Sequence, residues 1–321
     1  MNKRLLAIAI AAGLAVSSNV MAEGAEIYGI AHVSVDKMSY DDSAEADDWN
    51  VTSRNSRLGV KGSEDLGGGM KAVYKMEFSV DVSDAGTLGG RNQYVGVSAG
   101  MGTVLLGRHD SPTKMAQGKA DVFNDTIADM ANFGVDGDER FTNTITYFSP
   151  KMGGMQAIVQ LKPGEGVACA GDVCDGIADG TSLSFTYEAG DLYVGFGMDS
   201  GDLIADQMRL AATYKIDTLQ VGFLYNARSD DALAATDNAE DEVAMGLSAK
   251  FGMGDNAVKA QFFQLSDIDG TANDDATNIT LGYDMNMSAR TTVYALYSMY
   301  SPDVTPDDDV TAFSVGVSHS F

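Results

Sequence analysis

The sequence predicts an all-β protein, a 16-stranded antiparallel transmembrane β-barrel with short periplasmic turns and long extracellular loops. Three observations predict it. Apolar and polar residues alternate with period two through most of the chain, the connections between these segments alternate short and long, and nothing past residue 22 is apolar for long enough to cross a membrane as a helix.

The 321-residue chain opens with basic Lys3 and Arg4, an apolar run Leu5–Val16 and the short side chains of Val20-Met21-Ala22. This is the pattern of a secretory signal peptide over residues 1–22, cleaved after Ala22. The competing reading, an N-terminal anchor, fails on length, since a spanning helix needs ~20 apolar residues. Residues 23–321 then form one domain. Such an exported chain is either soluble or a closed barrel, because only helices and barrels satisfy every backbone group inside lipid.

The strands follow in order. Ile27, Gly29, Ala31, Val33 and Val35 alternate with Tyr28, His32, Ser34 and Asp36. Ala72, Tyr74, Met76, Phe78 and Val80 lie opposite Lys71, Lys75, Glu77, Ser79 and Asp81. Leu219, Val221, Phe223 and Tyr225 alternate with Gln220, Gly222 and Asn226; near the end, Phe313, Val315, Val317, His319 and Phe321 alternate with Ser314, Gly316, Ser318 and Ser320. About sixteen such segments start near Glu26, Asn50, Met70, Arg91, Thr103, Arg140, Met155, Thr181, Asp191, Asp206, Thr218, Glu242, Asn256, Ala276, Ala289 and Val310. Alternation alone fits a soluble sandwich with its apolar face inside as well as a barrel with that face on lipid.

The connections separate the two. Short ones such as Gly67-Gly68-Gly69, Gly100-Met101-Gly102, Ala189-Gly190-Asp191 and Gly252-Met253-Gly254-Asp255 suit tight turns. Long acidic ones intervene: Asp41–Asp48, Asp110–Glu139, Gly164–Gly180, Asp230–Asp241, Asp267–Asp275 and Pro302–Asp309. Outer-membrane barrels sort their loops by rim in this way, and sixteen strands enclose an aqueous channel. Tyr28, Tyr94, Tyr147, Tyr187, Tyr214, Tyr225, Tyr283, Tyr297, Phe313 and Phe321 are candidates for interfacial aromatic girdles.

Twenty-one basic and 46 acidic side chains give a net charge of −25; removing the signal, with two bases and no acid, makes it −27. That field repels nucleic acid and draws cations. Cys169 and Cys174, the two cysteines of an exported chain, favour a disulfide over a metal site, since no histidine or third cysteine is near. His32, His109 and His319 are scattered, so neither a metal cluster nor a nucleophile with an activating base is legible and an enzyme is not expected. No cofactor is expected. Weak Ca²⁺ or Mg²⁺ binding at Thr236–Asp241 or Asp307-Asp308-Asp309 competes with the simpler reading of solvated charge, because no EF-hand spacing is present.

Several stretches resemble the Gram-negative general diffusion porins, and the similarity spans the chain past the signal. They are Ala25-Glu26-Ile27-Tyr28-Gly29, Ser56–Gly67, Arg91–Val97, Gly102–Arg108, Thr144–Pro150 and the terminal Phe321. Each motif is weak; their order and spacing are specific. The resemblance implies a homotrimer in outer-membrane lipid and lipopolysaccharide, passing small hydrophilic solutes and ions, with Phe321 as the signal read by the barrel-assembly machinery. It also implies that the third loop, Asp110–Glu139, folds into the pore.

That loop is long enough to be functional. Its Asp121, Asp125, Asp129, Asp136, Asp138 and Glu139 are the expected acidic side of the constriction, and a helical turn would put Asp121 and Asp125 on one face. Strand parity supplies a basic wall of Arg57, Lys61, Lys71, Lys75, Arg91 and Arg140, with Arg108 a further candidate although it shares the phase of apolar Leu106; in the resembled porins, arginines at the positions of Arg57, Arg91 and Arg140 line the constriction. Acids facing bases across a narrow gap create a transverse field that filters by size and charge. The acidic balance predicts a modest cation preference. A substrate-specific porin is the nearest alternative, and a soluble exported β-protein a more distant one.

Overall fold

A computed structural model describes residues 25–41, 47–169, 172–229, 241–267, 275–303 and 309–321. The expected signal peptide lies outside the described residues, as does most of the suggested Ca²⁺ and Mg²⁺ runs. Among the described residues, no group of three or more His, Cys, Asp or Glu is arranged to hold a metal ion.

The first part of the barrel comprises β1 (Glu26–Tyr40), β2 (Asp48–Ser53), β3 (Arg57–Gly67), β4 (Met70–Ser79), β5 (Gly89–Ala99), β6 (Gly102–Asp110), β7 (Arg140–Phe148) and β8 (Met155–Lys162). A one-turn helix, α1 (Pro112–Ala116), lies between β6 and β7. A small hairpin, β9 (Val167–Cys169) with β10 (Asp172–Cys174), stands apart from the barrel sheet. The barrel resumes with β11 (Gly180–Ala189), β12 (Leu192–Ser200), β13 (Asp206–Ile216), β14 (Leu219–Ser229) and β15 (Glu242–Met253). It finishes with β16 (Asn256–Ser266), β17 (Ala276–Ser288), β18 (Thr291–Pro302) and β19 (Val310–Ser320).

Every pairing is antiparallel, and β1 returns to β19 from Ile30↔Ser320 to Tyr40↔Val310, which closes the ring. β2 and β3 both pair with β1 and form one barrel strand, so the barrel has 16. The break between them centres on Asn55, whose φ of 50° takes it out of the extended region. Arg54 nevertheless keeps its amide on the carbonyl of His32.

The sorting of side chains is the reverse of a soluble protein's. Phe313, Val315 and Val317 are 40–46% exposed, whereas Ser314 between them is fully buried. Met208 and Leu210 are exposed while Arg209 is wholly buried. Large apolar side chains therefore form the outer surface, as lipid requires, and polar ones turn inward.

The inner surface is not uniformly polar, and here the expectation needs correcting. Leu224, Phe263 and Leu265 point inward with Ala211, Ala244 and Ala276 and pack against Ala120, Met130 and Val135 of the 110–139 connection. Folding that segment inside creates a small dry core within a wet lumen. Two girdle candidates are also inside: the Tyr28 hydroxyl donates to Glu77 Oε2 at 2.7 Å, and the Tyr94 ring packs 5.3 Å from that of His109.

Candidate functional site: a charged constriction

The connection after β6 enters the barrel and crosses its inner wall. Ser111 caps α1 by accepting the Lys114 amide at 3.0 Å. Thr113 Oγ1 then donates to Asp199 Oδ1 at 2.6 Å, and Tyr193 Oη donates to the Ala116 carbonyl at 2.9 Å. Further along, Ser248 Oγ donates to the Ala120 carbonyl and Gln261 Oε1 accepts the Val122 amide.

Glycines on the wall make the close approach possible. A Cβ on Gly195 would collide with the Ala116 carbonyl, one on Gly197 with the Thr113 backbone, and one on Gly282 with the Phe123 ring. On the return, fully buried Arg209 clamps the chain. Its Nη1 donates to Asp138 Oδ1 at 2.9 Å and Nη2 to the Asp136 carbonyl at 2.6 Å, while Nε donates to Asn226 on β14.

The tip is held by two buried carboxylates. Asp121 accepts the amides of Phe123 and Met130, and Asp129 accepts those of Asp125 and Ala131. Burial pushes the Asp121 carboxyl up, helped by the neighbouring Asp129, and burial likewise raises Asp129. The helical turn expected across Asp121–Asp125 does not form. Asp125 has φ 62°, and the two side chains diverge: Asp121 into the loop, Asp125 into the lumen.

Opposite the tip stands the wall of β2–β7. A cavity of about 620 Å³ separates them, lined by Arg54, Arg57, Lys75, Arg91, Lys114 and Arg140 and by Glu77, Asp110, Asp125, Asp129 and Asp138. The charges are closely paired. Arg57 Nη1 lies 3.1 Å from Asp125 Oδ2, Arg91 Nε 2.9 Å from Glu77 Oε1, Lys75 Nζ 3.0 Å from Glu77 Oε2, and Arg140 Nη2 2.6 Å from Asp110 Oδ1. Glu77 and Asp110 thus interleave with the bases on the wall, which softens the expected separation of acids from bases.

The structure divides the expected site residues. Asp125, Asp129, Asp138, Arg57, Lys75, Arg91 and Arg140 meet around this cavity. Asp121 does not line it, because its oxygens are used inside the loop. Asp136 turns away to Arg228. Glu139 and Arg108 line a separate cavity. Lys61 pairs with Glu26 over the Tyr28 ring, and Lys71 stands opposite Asp65 beside the 67–69 turn, so neither reaches the constriction. Cys169 and Cys174 are joined by a disulfide across the β9–β10 hairpin. Phe321 exchanges two 3.1 Å backbone hydrogen bonds with Gly29, and its ring covers that glycine.

Arg54 escaped the sequence reading. It pairs with Asp36 at 2.6 Å, but it falls in the break between β2 and β3, where parity carries no information. Arg209 escaped as well, since a lone arginine on a wall strand looks the same whether it faces water or holds a loop.

A closed 16-strand barrel with an apolar exterior and a charged passage defines a β-barrel membrane channel. The family model for Gram-negative porins matches residues 7–305, and the chain belongs to that family, in the outer membrane. The chain is 28% identical to outer membrane porin protein 32 of Delftia acidovorans, with both covered end to end. It is 29% identical to the major outer membrane protein P.IB of Neisseria gonorrhoeae over 51% of this chain and 49% of that one. Among solved structures, an anion-selective porin from Comamonas acidovorans superposes with a TM-score of 0.77 at 23% identity, covering 92% of this chain and 99% of that one. The trimer form of OmpT from Vibrio cholerae gives 0.69 at 16% identity, covering 92% and 99%.

Proposed function

We propose that the protein is a passive diffusion channel for small hydrophilic solutes and ions, with its filter at the gap between Asp125 and the arginines of β2–β7. The observation that carries this reading is the charged 620 Å³ cavity between loop and wall. A polar solute replaces part of its hydration there with side-chain contacts, whereas an apolar one finds no compensation.

The cation preference expected from overall charge finds no support at the constriction. Its lining holds six bases and five acids, a small excess of positive charge inside a chain of net charge −25. The similar Comamonas channel is described as anion-selective. The reading here is weak anion preference at the constriction. The acidic loops act only at the mouth, where screening over ~3 Å at 1 M salt silences them.

The native assembly is a homotrimer, by analogy with the trimeric Vibrio relative. Residues 1–22 direct export, and Phe321 serves assembly of the barrel, which ends up among lipopolysaccharide. The test is purified protein in planar bilayers. At 1 M salt with a gradient, this reading expects discrete open steps, a small anion-selective reversal potential, and sugar flux that falls with size. A strong cation-selective potential under those conditions contradicts the selectivity reading, and absence of any conductance contradicts the function.

A further inference from the structure

A second cavity, about 350 Å³, lies beside the constriction, between the returning end of the inward loop and the inner wall. Its charged lining is Arg108, Arg140, Lys162 and Arg228 against Glu139 and Asp199. Most of these are engaged elsewhere. Arg140 is held by Asp110, Arg228 by Asp136, and Asp199 by Thr113.

Arg108 differs. Among the described residues its guanidinium has no ion pair and its Nε, shut off from solvent, has no acceptor. Among the described residues, Lys162 reaches the Leu203 carbonyl at 3.4 Å and the Phe141 ring and pairs with no carboxylate. A buried charged donor without an acceptor is unfavourable, and among the described residues none reaches the Arg108 Nε, although Glu139 lines the same cavity. A guanidinium presents a planar fork of N–H donors that matches two oxygens of a carboxylate or phosphate, and an ammonium close by adds charge.

We propose that this cavity is a holding site for a small oxyanion, bound between Arg108 and Lys162 and released toward Arg140 at the constriction. The inference rests on the channel reading, because the anion reaches the site through the lumen. It makes the channel a saturable conductor of phosphate or carboxylate solutes and a linear conductor of chloride.

Single-channel current in potassium phosphate, compared with potassium chloride over the same concentrations, tests it. The wild-type phosphate current is expected to saturate while the chloride current keeps rising. In Arg108→Met, and separately in Lys162→Met, the half-saturating phosphate concentration is expected to rise by about tenfold, each variant scaled to its own chloride current. Two outcomes overturn the proposal: wild-type phosphate current that rises like chloride, as it would if a water occupied the fork, or both variants saturating at the wild-type midpoint. Loss of chloride current from the wild type would instead overturn the channel reading itself.

Discussion

Arg57 on the barrel wall and Asp125 at the tip of the inward loop approach to 3.1 Å, so one ion pair joins the two sides of the passage. Each partner also lines the 620 Å³ cavity. Removing either charge alters the potential met by a permeating ion.

Asp125→Asn is therefore expected to move the permeability ratio toward anions and Arg57→Gln toward cations, each by about twofold, since a unit charge at ~4 Å in a wet environment is worth about 1 kcal/mol at most. Reversal potentials at high salt check this. Shifts of the same sign in both variants would mean that the pair does not face the permeating ions.

The seat of the loop depends on glycine. A Cβ at Gly195 collides with the Ala116 carbonyl, so Gly195→Val should push the loop into the passage at a cost of about 1–3 kcal/mol. Single-channel conductance should fall while the barrel still assembles. Gly190→Val, at an open turn with nothing near its Cβ position, is the control for assembly, with its own strain from a φ of +57°.

Arg209 is the strongest tie between loop and wall. Arg209→Ala leaves Asp138 with only Lys114, at 3.3 Å, as its ion-pair partner and removes the donor to the Asp136 carbonyl, at a cost of about 1–3 kcal/mol. The freed loop should give noisier open-channel current and trypsin cleavage after Lys119. A quiet, resistant variant would show that the hydrogen bonds of Tyr193 and Ser248 suffice.

The buried loop carboxyls give the channel a pH response. Burial raises Asp129 from an ordinary 3.8 to about 6. Folding therefore favours the protonated form: its contribution to loop stability is complete below pH about 4 and is lost as pH rises through 6. Current noise should grow across that interval, and the permeability ratio should drift toward cations as the lining gains negative charge. A ratio independent of pH from 4 to 7 would contradict this.

The fold was legible because lipid imposes a rule on every strand. Ser314 and Val315 sort to opposite faces whatever surrounds them, so a period of two reports the wall directly. The site was only partly legible. Parity located Arg57 and Lys75, whose strands are regular there; Arg91 and Arg140 stand beside register shifts where strict alternation fails, and the porin resemblance is what marked them. It misled at Lys61 and Lys71, which share the inner face but stand too far along their strands, and height along the axis is set by strand stagger that alternation does not encode. Loop acids could not be sorted at all: Asp121 and Asp125 differ only in backbone path, one satisfied by amides and the other free to meet Arg57. The inward Phe263 and Leu265 were hidden for a related reason, since their role depends on a loop from the other half of the chain.

The claim beneath all of this is that the polar faces surround water and the apolar faces meet lipid. Arg57→Cys and Val60→Cys, three residues apart on β3 and of opposite parity, test it most directly when a charged water-soluble thiol reagent is added during single-channel recording. The account predicts a stepwise fall in current for Arg57→Cys and no response for Val60→Cys, whose thiol should react only with a lipid-soluble reagent. Block at Val60→Cys with silence at Arg57→Cys would contradict it.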